Sequence, residues 1–509
     1  MSDFPWLTTL IVLPLVGAII TGYLPSRGVI ARQVGLGFAL VTLVLAVVMA
    51  TGFEAGGGMQ FTEQHQWINV FGAHYALGVD GLGLLMVLLT AVLVPIVMVA
   101  SWKEADPKAD VFFAWALVLE AFSIAVFAAT DVFLFYIVFE ATLIPAYFLI
   151  GGFGREGRGR AAVKFLIYQL AGGLIMLASV IGLYVVSARA GSPSYLLTDL
   201  AALDIDPTTQ KWLFVGFFVA FAIKAPMFPV HTWLADTTEK ATTGTSVLLV
   251  CILDKIGTFG MLRFCLGLLP EASQWATPVV VVLALISIVY GALVAIGQDD
   301  MLRLIGLTSL SHFGLIVLGI FVFTQQGGSG AILYMVNHGL ATAALFLLAG
   351  AIIRRRGSAL ISDFGGMEKA TPVLAGAFLT AGLAACGLPG LSPFVSEIMV
   401  LISAFDYAWW AGAVAVSAIV LAAIYILWMY QRIMTGPPRP EVAAYKDLSS
   451  REVVTVAPLL VGLLVFGFYP MPLLDVINPT VETTLVEVGV PDDGPTVSTP
   501  APTGEEDHS

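Results

Sequence analysis

Residues 222–233 read A-I-K-A-P-M-F-P-V-H-T-W and place a lysine, two prolines and a histidine inside a long apolar stretch. Lys224 lies two residues before Pro226, and His231 lies two residues after Pro229. Proline removes a backbone donor and clashes with the preceding turn, so this stretch predicts a helix that is interrupted beside a cation. In lipid, a break of this kind is tolerated chiefly where it lines a hydrated cavity, as in secondary transporters.

The composition places these residues in a membrane protein. Of 509 residues, 58% are hydrophobic and only 11% are charged, which lies outside the usual range of soluble globular domains. Apolar runs of about 20 residues, each long enough to cross a bilayer as a helix, recur along the whole chain. The predicted fold class is therefore an all-α polytopic membrane protein with about fourteen transmembrane helices. The predicted spans are 3–23, 29–50, 81–101, 111–129, 132–150, 161–188, 211–235, 243–264, 275–297, 302–323, 328–353, 372–404, 409–431 and 453–473.

The basic residues predict the orientation of these spans. Most of the 23 Lys and Arg side chains fall in or beside alternate loops, whereas Arg189, Lys211 and Arg263 fall on the opposite side. The positive-inside rule makes the first set cytoplasmic and both termini external. The set consists of Arg27, Arg32, Lys103, Lys108, Arg155, Arg158, Arg160, Lys240, Arg303, Arg354, Arg355, Arg356, Lys369, Arg432, Arg439, Lys446 and Arg451.

A second stretch repeats the pattern of the first. Residues 389–397 read P-G-L-S-P-F-V-S-E, so Pro389 and Pro393 precede Glu397 inside a predicted span. The two breaks lie five spans apart, and because five is odd, a second copy of a five-span unit crosses the membrane in the opposite sense. The sequence thus predicts two inverted five-helix repeats, with helices 7 and 12 broken. The predicted segments are 1–101 with the external loop 51–80, repeats 110–264 and 275–431, a last helix 453–473, and an external, largely disordered tail 474–509.

Ionisable side chains near the middle of the spans are the candidate functional residues. Each costs about 2.5–3.5 kcal/mol to insert at a helix centre, so a set with both signs favours an ion path over isolated structural pairs. A lone membrane histidine is more often a hydrogen-bonded structural residue, but histidine also relays protons near neutral pH. Asp254 adjoins Lys255, and adjacent helical residues point about 100° apart, which leaves Asp254 without an assigned role. The charged residues are Glu120, Glu140, Lys164, Lys224, Asp254, Lys255 and Glu397, and the histidines are His231, His312 and His338.

Other motifs argue against a cofactor in this chain. Residues 152–157, G-F-G-R-E-G, match a dinucleotide-binding pattern but follow a membrane span and lie among arginines, which indicates a short cytoplasmic turn. The three cysteines, Cys251, Cys265 and Cys386, lack the clustering that zinc and iron-sulfur sites need, and buried apolar positions explain them better. We therefore predict neither a metal nor a cofactor here, and the driving energy must come from a gradient or a partner.

Three motifs resemble the antiporter-like subunits of respiratory complex I. They are K-A-P-M-F-P-V-H-T-W-L-A-D at 224–236, L-D-K-I-G-T-F-G-M-L-R-F at 253–264 and F-Y-I-V-F-E-A-T-L-I-P at 135–145. Glu397 in F-V-S-E is typical of the subunit M type, equivalent to mitochondrial subunit four, whereas subunits L and N usually carry lysine there. Two positions depart from the family pattern: Thr238 replaces a histidine, and Asp254 stands where an apolar residue is common.

The resemblance implies a proton channel driven by redox chemistry elsewhere. It implies that Glu140, Lys224, Lys255 and Glu397 translocate protons, and that FMN, iron-sulfur clusters and quinone belong to partner subunits. Subunits L and N are the expected neighbours, in a bacterial plasma membrane. In the predicted route, Glu140 holds Lys224 charged, and the proton passes His312 toward Lys255 and then His338 toward Glu397. The further relay candidates are His231, Glu120 and Lys164.

Two other functions remain open from the sequence. A subunit of an Mrp-type multisubunit cation/proton antiporter shares the fold and the Lys-Glu pairs but uses an ion gradient, and Glu397 argues against it. A scaffold subunit that only binds partners and lipid predicts dispensable intramembrane charges, which their insertion cost disfavours.

Overall fold

A computed structural model describes residues 4–24 and 29–490 of the chain as a predominantly helical protein. The helices are α1 (Trp6–Tyr23), α2 (Val29–Thr51), α3 (Gly81–Ala100), α4 (Ala109–Ala128), α5 (Val132–Ala141), α6 (Leu143–Phe153), α7 (Arg158–Arg189), α8 (Leu197–Ala201), α9 (Pro207–Lys224), α10 (Thr232–Lys240), α11 (Thr243–Val247), α12 (Lys255–Gly260), α13 (Pro270–Ile296), α14 (Met301–Phe321), α15 (Gln325–Arg356), α16 (Pro372–Ala385), α17 (Ser392–Tyr407), α18 (Trp409–Met434), α19 (Ser450–Phe468) and α20 (Met471–Val488). Two π-helical segments, Leu248–Leu253 and Met261–Leu266, flank α12.

Twelve helices in the described ranges are long and apolar enough to cross a membrane. Two of these spans are each built from several helical elements. Val132–Phe153 joins α5 and α6, and Thr243–Leu266 contains α11, α12 and both π-helical segments. The predicted number of fourteen requires that α9 with α10, and α16 with α17, each count as one interrupted span. That number therefore stays a prediction, while the multi-pass helical architecture is as the sequence predicts.

The first predicted break lies between α9 and α10. Helix α9 ends at Lys224, and α10 begins at Thr232, so the prolines occupy the connection. The carbonyl of Ile223, one residue before the end of α9, accepts a hydrogen bond of 3.0 Å from the indole Nε1 of Trp233. A backbone group that the break frees from the helix is thus bonded inside the protein, as the lipid environment requires.

The second predicted break lies between α16 and α17. Gly387 and Gly390 adopt left-handed backbone conformations there, with φ of 70° and 91°. The side-chain amide of Asn337 on α15 donates to the carbonyl of Ser392 at 2.8 Å and to the Ser396 hydroxyl at 3.1 Å. These two hydrogen bonds join α15 to the first turn of α17 beside the break.

Replacing Trp233 by Phe tests the first of these bonds. We expect a loss of about 1–3 kcal/mol in the free energy of unfolding, because the buried Ile223 carbonyl loses the hydrogen bond from the Trp233 indole. The measurement is the thermal unfolding midpoint of the full-length chain. Trp212→Phe on α9 is the matched control, since Trp212 is 75% exposed. Equal midpoints for the two variants would contradict the prediction.

The centre of the protein consists of three enclosed segments. Every residue of α14 except Arg303 is buried, as is every residue of α15 from Gly327 to Ile352. The span Thr243–Leu266 is buried over its whole hydrophobic window. These three segments carry Lys255, His312 and His338, so the candidate polar residues lie where the surrounding protein, rather than lipid, determines their environment.

Loops that the sequence assigns to one side of the membrane lie together. Arg354 at the end of α15 contacts Glu104, which follows α3, and Glu452 at the start of α19, both at 3.0 Å. Arg155 between α6 and α7 contacts Asp300 before α14, also at 3.0 Å. This grouping supports the predicted alternation of loops, although which side faces the cytoplasm stays a prediction.

The loop 51–80 and the tail contain structure that the sequence analysis did not predict. Within the loop, strands β1 (Gln60–Ile68) and β2 (Ala73–Val79) form an antiparallel hairpin. Over 474–488 the predicted disordered tail is instead part of α20. Its buried side chains, Ile477, Val481, Leu485 and Val488, recur at helical spacing. That stripe packs α20 on α3 and α15, which explains why this part of the tail folds. Residues 491–509 of the predicted tail lie outside the described residues.

Candidate functional site

Lys224 lies at the end of α9, where the helix breaks. Its side chain is buried, and Nζ donates a hydrogen bond of 3.1 Å to the hydroxyl of Thr142. Nζ also lies 4.6 Å from the ring centroid of Phe139. The Thr142 hydroxyl donates in turn to the Phe139 carbonyl at 2.7 Å, so its oxygen is free to accept from the lysine. A hydroxyl and an aromatic face thus hold the ammonium group.

Glu140 is close enough to Lys224 for electrostatic attraction but does not bond to it. The Glu140 carboxylate attracts the Lys224 ammonium group. Oε1 of Glu140 is buried and has no hydrogen-bond partner among the described residues. The carboxylate packs against Gly173 of α7, where an added Cβ would overlap Oε1. The side chains of the predicted Glu140–Lys224 pair are therefore not bonded to each other. The Glu140 carboxylate occupies a space that exists because residue 173 is a glycine.

Lys255 is the first residue of α12, between the two π-helical segments. Its Nζ bonds to the carbonyl of Val250 at 3.0 Å and to Nδ1 of His338 on α15 at 2.6 Å. It also lies 4.6 Å from the ring centroid of Phe313 on α14. π-Helical turns recur at functional sites because they redirect side chains and loosen backbone bonds. Here the lysine is directed into the enclosed centre of the protein.

The two central histidines continue from Lys255 toward Glu397. The ring centroids of His338 and His312 lie 5.2 Å apart, and Nε2 of His312 lies 3.4 Å from the Tyr425 hydroxyl. The sequence analysis placed His312 between Lys224 and Lys255. The structure instead places His312 beyond His338, because α15 turns His338 toward Lys255 of α12, whereas α14 turns His312 toward Glu397 and Tyr425.

Glu397 on α17 closes the sequence of polar groups. It is buried, and the Tyr334 hydroxyl of α15 donates a short hydrogen bond to its Oε1. Oε2 packs against Gly387 in the second break, where an added Cβ would overlap it. A cavity of about 10 Å³ lies between His312, Glu397 and Tyr425, close to the room that one water molecule needs.

We call the following set the polar row. It consists of Glu140, Lys224, Lys255, His338, His312 and Glu397. Lys255 is hydrogen-bonded to His338, and the rings of His338 and His312 are in contact. Tyr334 contacts the ring of His312 and donates a hydrogen bond to Glu397, so it joins the last two members. Among the described residues, no hydrogen bond joins the two lysines.

Glu120, a predicted relay residue, and Asp254, which had no predicted role, are buried carboxylates outside the polar row. Both oxygens of Glu120, and Oδ2 of Asp254, have no hydrogen-bond partner among the described residues. Glu120 shares a helix face with Phe127 seven residues later, and Phe127 packs on Phe259 of α12 at 5.4 Å between ring centroids. Glu120 therefore faces the span that carries Lys255, although no contact joins it to the row.

Lys164 and His231 lie away from the polar row. Lys164 forms an ion pair of 2.6 Å with Asp236 of α10, and its side chain is 34% exposed. His231 precedes α10, with its ring 5.2 Å from that of Tyr290. The mid-span position of Lys164 suggested a relay, but the ion pair across to α10 explains it.

Sequence reasoning missed the neutral polar side chains of the site. Thr142, Tyr334, Tyr425 and Asn337 all contact a member of the row or a broken helix. Their signal in the sequence is weak, because hydroxyl and amide side chains cost far less than charges inside a membrane helix. Thr142 could have been found from its position two residues after Glu140.

The G-x-G-x-x-G match at 152–157 and the three cysteines form no binding site in the described residues. Residues 152–157 connect the end of α6 to α7, with Gly157 at a φ of 84°, and a helix rather than a strand directly precedes them. The three cysteines are free and buried. Within residues 4–24 and 29–490, no group of three or more His, Cys, Asp and Glu side chains could hold a metal ion.

Comparisons with known proteins agree with the motifs. The family model described as NADH:quinone oxidoreductase/Mrp antiporter, TM matches residues 129–422. NADH-quinone oxidoreductase subunit M of Mycobacterium tuberculosis is 47% identical over 540 residues, covering 99% of this chain and 98% of the relative.

Solved structures share the fold. A chain of respiratory complex I from Thermus thermophilus with bound NADH matches with a TM-score of 0.86 and 32% identity, covering 95% of this chain and all of that one (100%). A chain of the Mrp complex from Dietzia sp. DQ12-45-1b matches with a TM-score of 0.84 over 95% of this chain and 99% of that one; at 22% identity, this likeness shows the fold alone.

These matches extend along nearly the whole chain and confirm the resemblance that the three motifs indicated. The chain therefore belongs to the NADH:quinone oxidoreductase/Mrp antiporter transmembrane family and, within it, to the subunit M group of NADH-quinone oxidoreductase.

Proposed function

We propose that this chain is a proton-translocating membrane subunit of NADH:quinone oxidoreductase, and that the polar row is its proton path. The observation that carries the proposal is the direct bond between Lys255 and His338 inside the three enclosed segments. Buried ionisable groups at such depth are costly, and a hydrogen-bonded series of them along the centre of a membrane protein is typical of a proton relay. Moving one proton against 100 mV costs about 2.3 kcal/mol, which redox chemistry in partner subunits supplies.

The proposed route follows the contacts of the row. While the Glu140 carboxylate attracts it, Lys224 holds its proton against Thr142. A shift of Glu140, caused by a neighbouring subunit, removes that attraction and lets Lys224 release the proton inward, because an isolated buried ammonium is unfavourable. Lys255 and His338 exchange the proton across their bond, and His312 and Tyr334 guide it to Glu397, from which it leaves outward.

The proposal assigns the remaining parts of the enzyme to other chains. FMN, iron-sulfur clusters and the quinone site belong to partner subunits, and subunits L and N are the proposed neighbours. We further propose the bacterial plasma membrane as its location, both termini on the external side, and the two inverted repeats 110–264 and 275–431. The half-buried position of Glu140 near the surface of the chain supports a neighbour on that side.

An Mrp-type antiporter subunit is the alternative function. It shares the fold, but relatives that are 47% and 38% identical to this chain carry the name NADH-quinone oxidoreductase subunit M. Affinity purification of the tagged chain from mild detergent separates the two. Co-purified subunits with flavin and iron-sulfur absorbance, and NADH:quinone activity, support the proposal. Sodium-dependent antiport by a complex without those cofactors would support the Mrp alternative instead.

Replacing Gly173 by Ala tests the role of Glu140 without changing a charge. The added Cβ would occupy the space of Oε1, so the carboxylate must move while the end of a flexible side chain absorbs the clash. We expect a normally assembled enzyme whose proton translocation falls by about tenfold or more, since moving a catalytic group by about 1 Å can cost about 100-fold.

The matched control for Gly173→Ala is Gly159→Ala on the same helix, where an added Cβ meets nothing within 4 Å. Proton translocation is measured as dye quenching in inverted membrane vesicles that oxidise NADH. If Gly173→Ala pumps as fast as Gly159→Ala, the position of the Glu140 carboxylate is unimportant.

A further inference from the structure

Asp254 is a buried carboxylate that the proposed route does not use. The residue is only 1% exposed, and Oδ2 has no hydrogen-bond partner among the residues the structure describes. An unpaired carboxylate in the interior of a membrane protein is costly and marks a functional position more often than a structural one. Its position in the chain, directly before Lys255, gives no reason for it, since adjacent helical residues point in different directions.

The packing of α12 shows which way Asp254 faces. Gly257 packs so closely on the end of α9 that an added Cβ would overlap the backbone nitrogen of Ala225 and lie 2.6 Å from the Phe221 carbonyl oxygen. Asp254 has helical backbone angles and lies three residues before Gly257, so the two share a helix face. Asp254 is therefore directed toward the broken end of α9, which terminates at Lys224.

Lys255 faces the other way. Its Nζ bonds to His338 of α15, on the side that leads to Glu397. The adjacent residues Asp254 and Lys255 thus face two different parts of the polar row, and the charge of Asp254 acts on both Lys224 and Lys255. Among the described residues, no hydrogen bond joins the two lysines directly.

We propose that Asp254 is an intermediate proton carrier between Lys224 and Lys255, an inference that rests on the proposed function. In the first step, an Nζ–H bond of Lys224 breaks and an Oδ2–H bond of Asp254 forms, so that the ammonium becomes an amine and the carboxylate becomes a neutral acid. In the second step, the Oδ2–H bond breaks and an Nζ–H bond forms on neutral Lys255, which restores the carboxylate. Both steps transfer only a proton and need no further reactant.

The test replaces Asp254 by Asn in the assembled enzyme. Asparagine preserves shape but cannot carry a proton, so we expect proton translocation to fall at least about tenfold. NADH oxidation by a soluble electron acceptor stays at the wild-type rate, which reports assembly. Asp254→Glu should retain at least part of the translocation, because glutamate keeps a carboxyl group that can carry the proton. If the side chain only filled space, Asp254→Asn, which keeps its size, would instead be the milder change. Asp204→Asn in an exposed loop is the matched control.

Infrared difference spectra during turnover supply a second readout. The wild type shows a carboxylic acid C=O band that is absent in Asp254→Asn and shifted in Asp254→Glu. If Asp254→Asn fails to assemble, this shift between wild type and Asp254→Glu decides, and an unshifted band overturns the inference.

Lys224→Ala in parallel separates the two proposals. Full translocation in Asp254→Asn together with loss in Lys224→Ala overturns the role of Asp254 alone. Full translocation in both variants overturns the proposed function itself.

Discussion

Replacing Lys224 by Ala abolishes proton translocation through this subunit. Alanine removes the group that holds the proton at the break, and the Thr142 hydroxyl loses its donor. Positioned proton-transfer groups contribute about 100-fold to 10,000-fold, so we expect the rate to fall by about 100-fold or more. NADH oxidation by a soluble electron acceptor continues, because the electron carriers are proposed to lie in other subunits. The measurement is proton uptake into inverted vesicles, normalised to the amount of assembled enzyme.

The matched control for this change is Lys211→Ala on the same helix. Lys211 lies 5.3 Å from the ring centroid of Trp275, away from the row, and its removal leaves the break intact. We expect Lys211→Ala to pump at the wild-type rate. Wild-type pumping by Lys224→Ala would mean that the break serves another purpose than proton transfer.

The second large effect is expected for Glu397→Gln. Glutamine fills the same volume and can still accept from Tyr334, so the fold is preserved while the proton-binding carboxylate is lost. The last carrier of the row is then missing, and translocation should fall by about 100-fold. The same vesicle measurement applies, with the quinone reductase rate recorded in parallel.

Asp406→Asn, an exposed position on the same helix α17, serves as the control for Glu397→Gln. Tyr334→Phe should give an intermediate loss, since it removes the hydrogen bond to Glu397 but leaves the carboxylate. If Tyr334→Phe lowers proton translocation more than Glu397→Gln does, the tyrosine rather than the glutamate carries the proton.

The helix breaks could be predicted from the sequence because their cause is local. Pro226, Pro229, Pro389 and Pro393 disrupt backbone bonding wherever they occur in a helix, and the structure interrupts both helices beside them. The apolar runs and the family motifs are also local features. They were sufficient for the multi-pass fold and for the family.

The order of the histidines could not be predicted, because it depends on how helices pack rather than on where residues lie in the chain. His312 and His338 belong to different helices, and the rotation of α14 against α15 places His338 on Lys255 and His312 beside Glu397. The partner of Lys164 is equally non-local, since Asp236 lies on α10. Helix α20 escaped prediction because its apolar stripe is short and interrupted by polar residues.

In the proposed function, the polar row conducts protons through water that bridges the gaps between its members. The most direct test is a structure of the assembled enzyme at a resolution that shows ordered water. We predict water between Lys224 and Lys255, beside Asp254, and one molecule in the cavity of about 10 Å³ next to Glu397. Side chains packed against one another without water at both places, in every state of the catalytic cycle, would contradict the account.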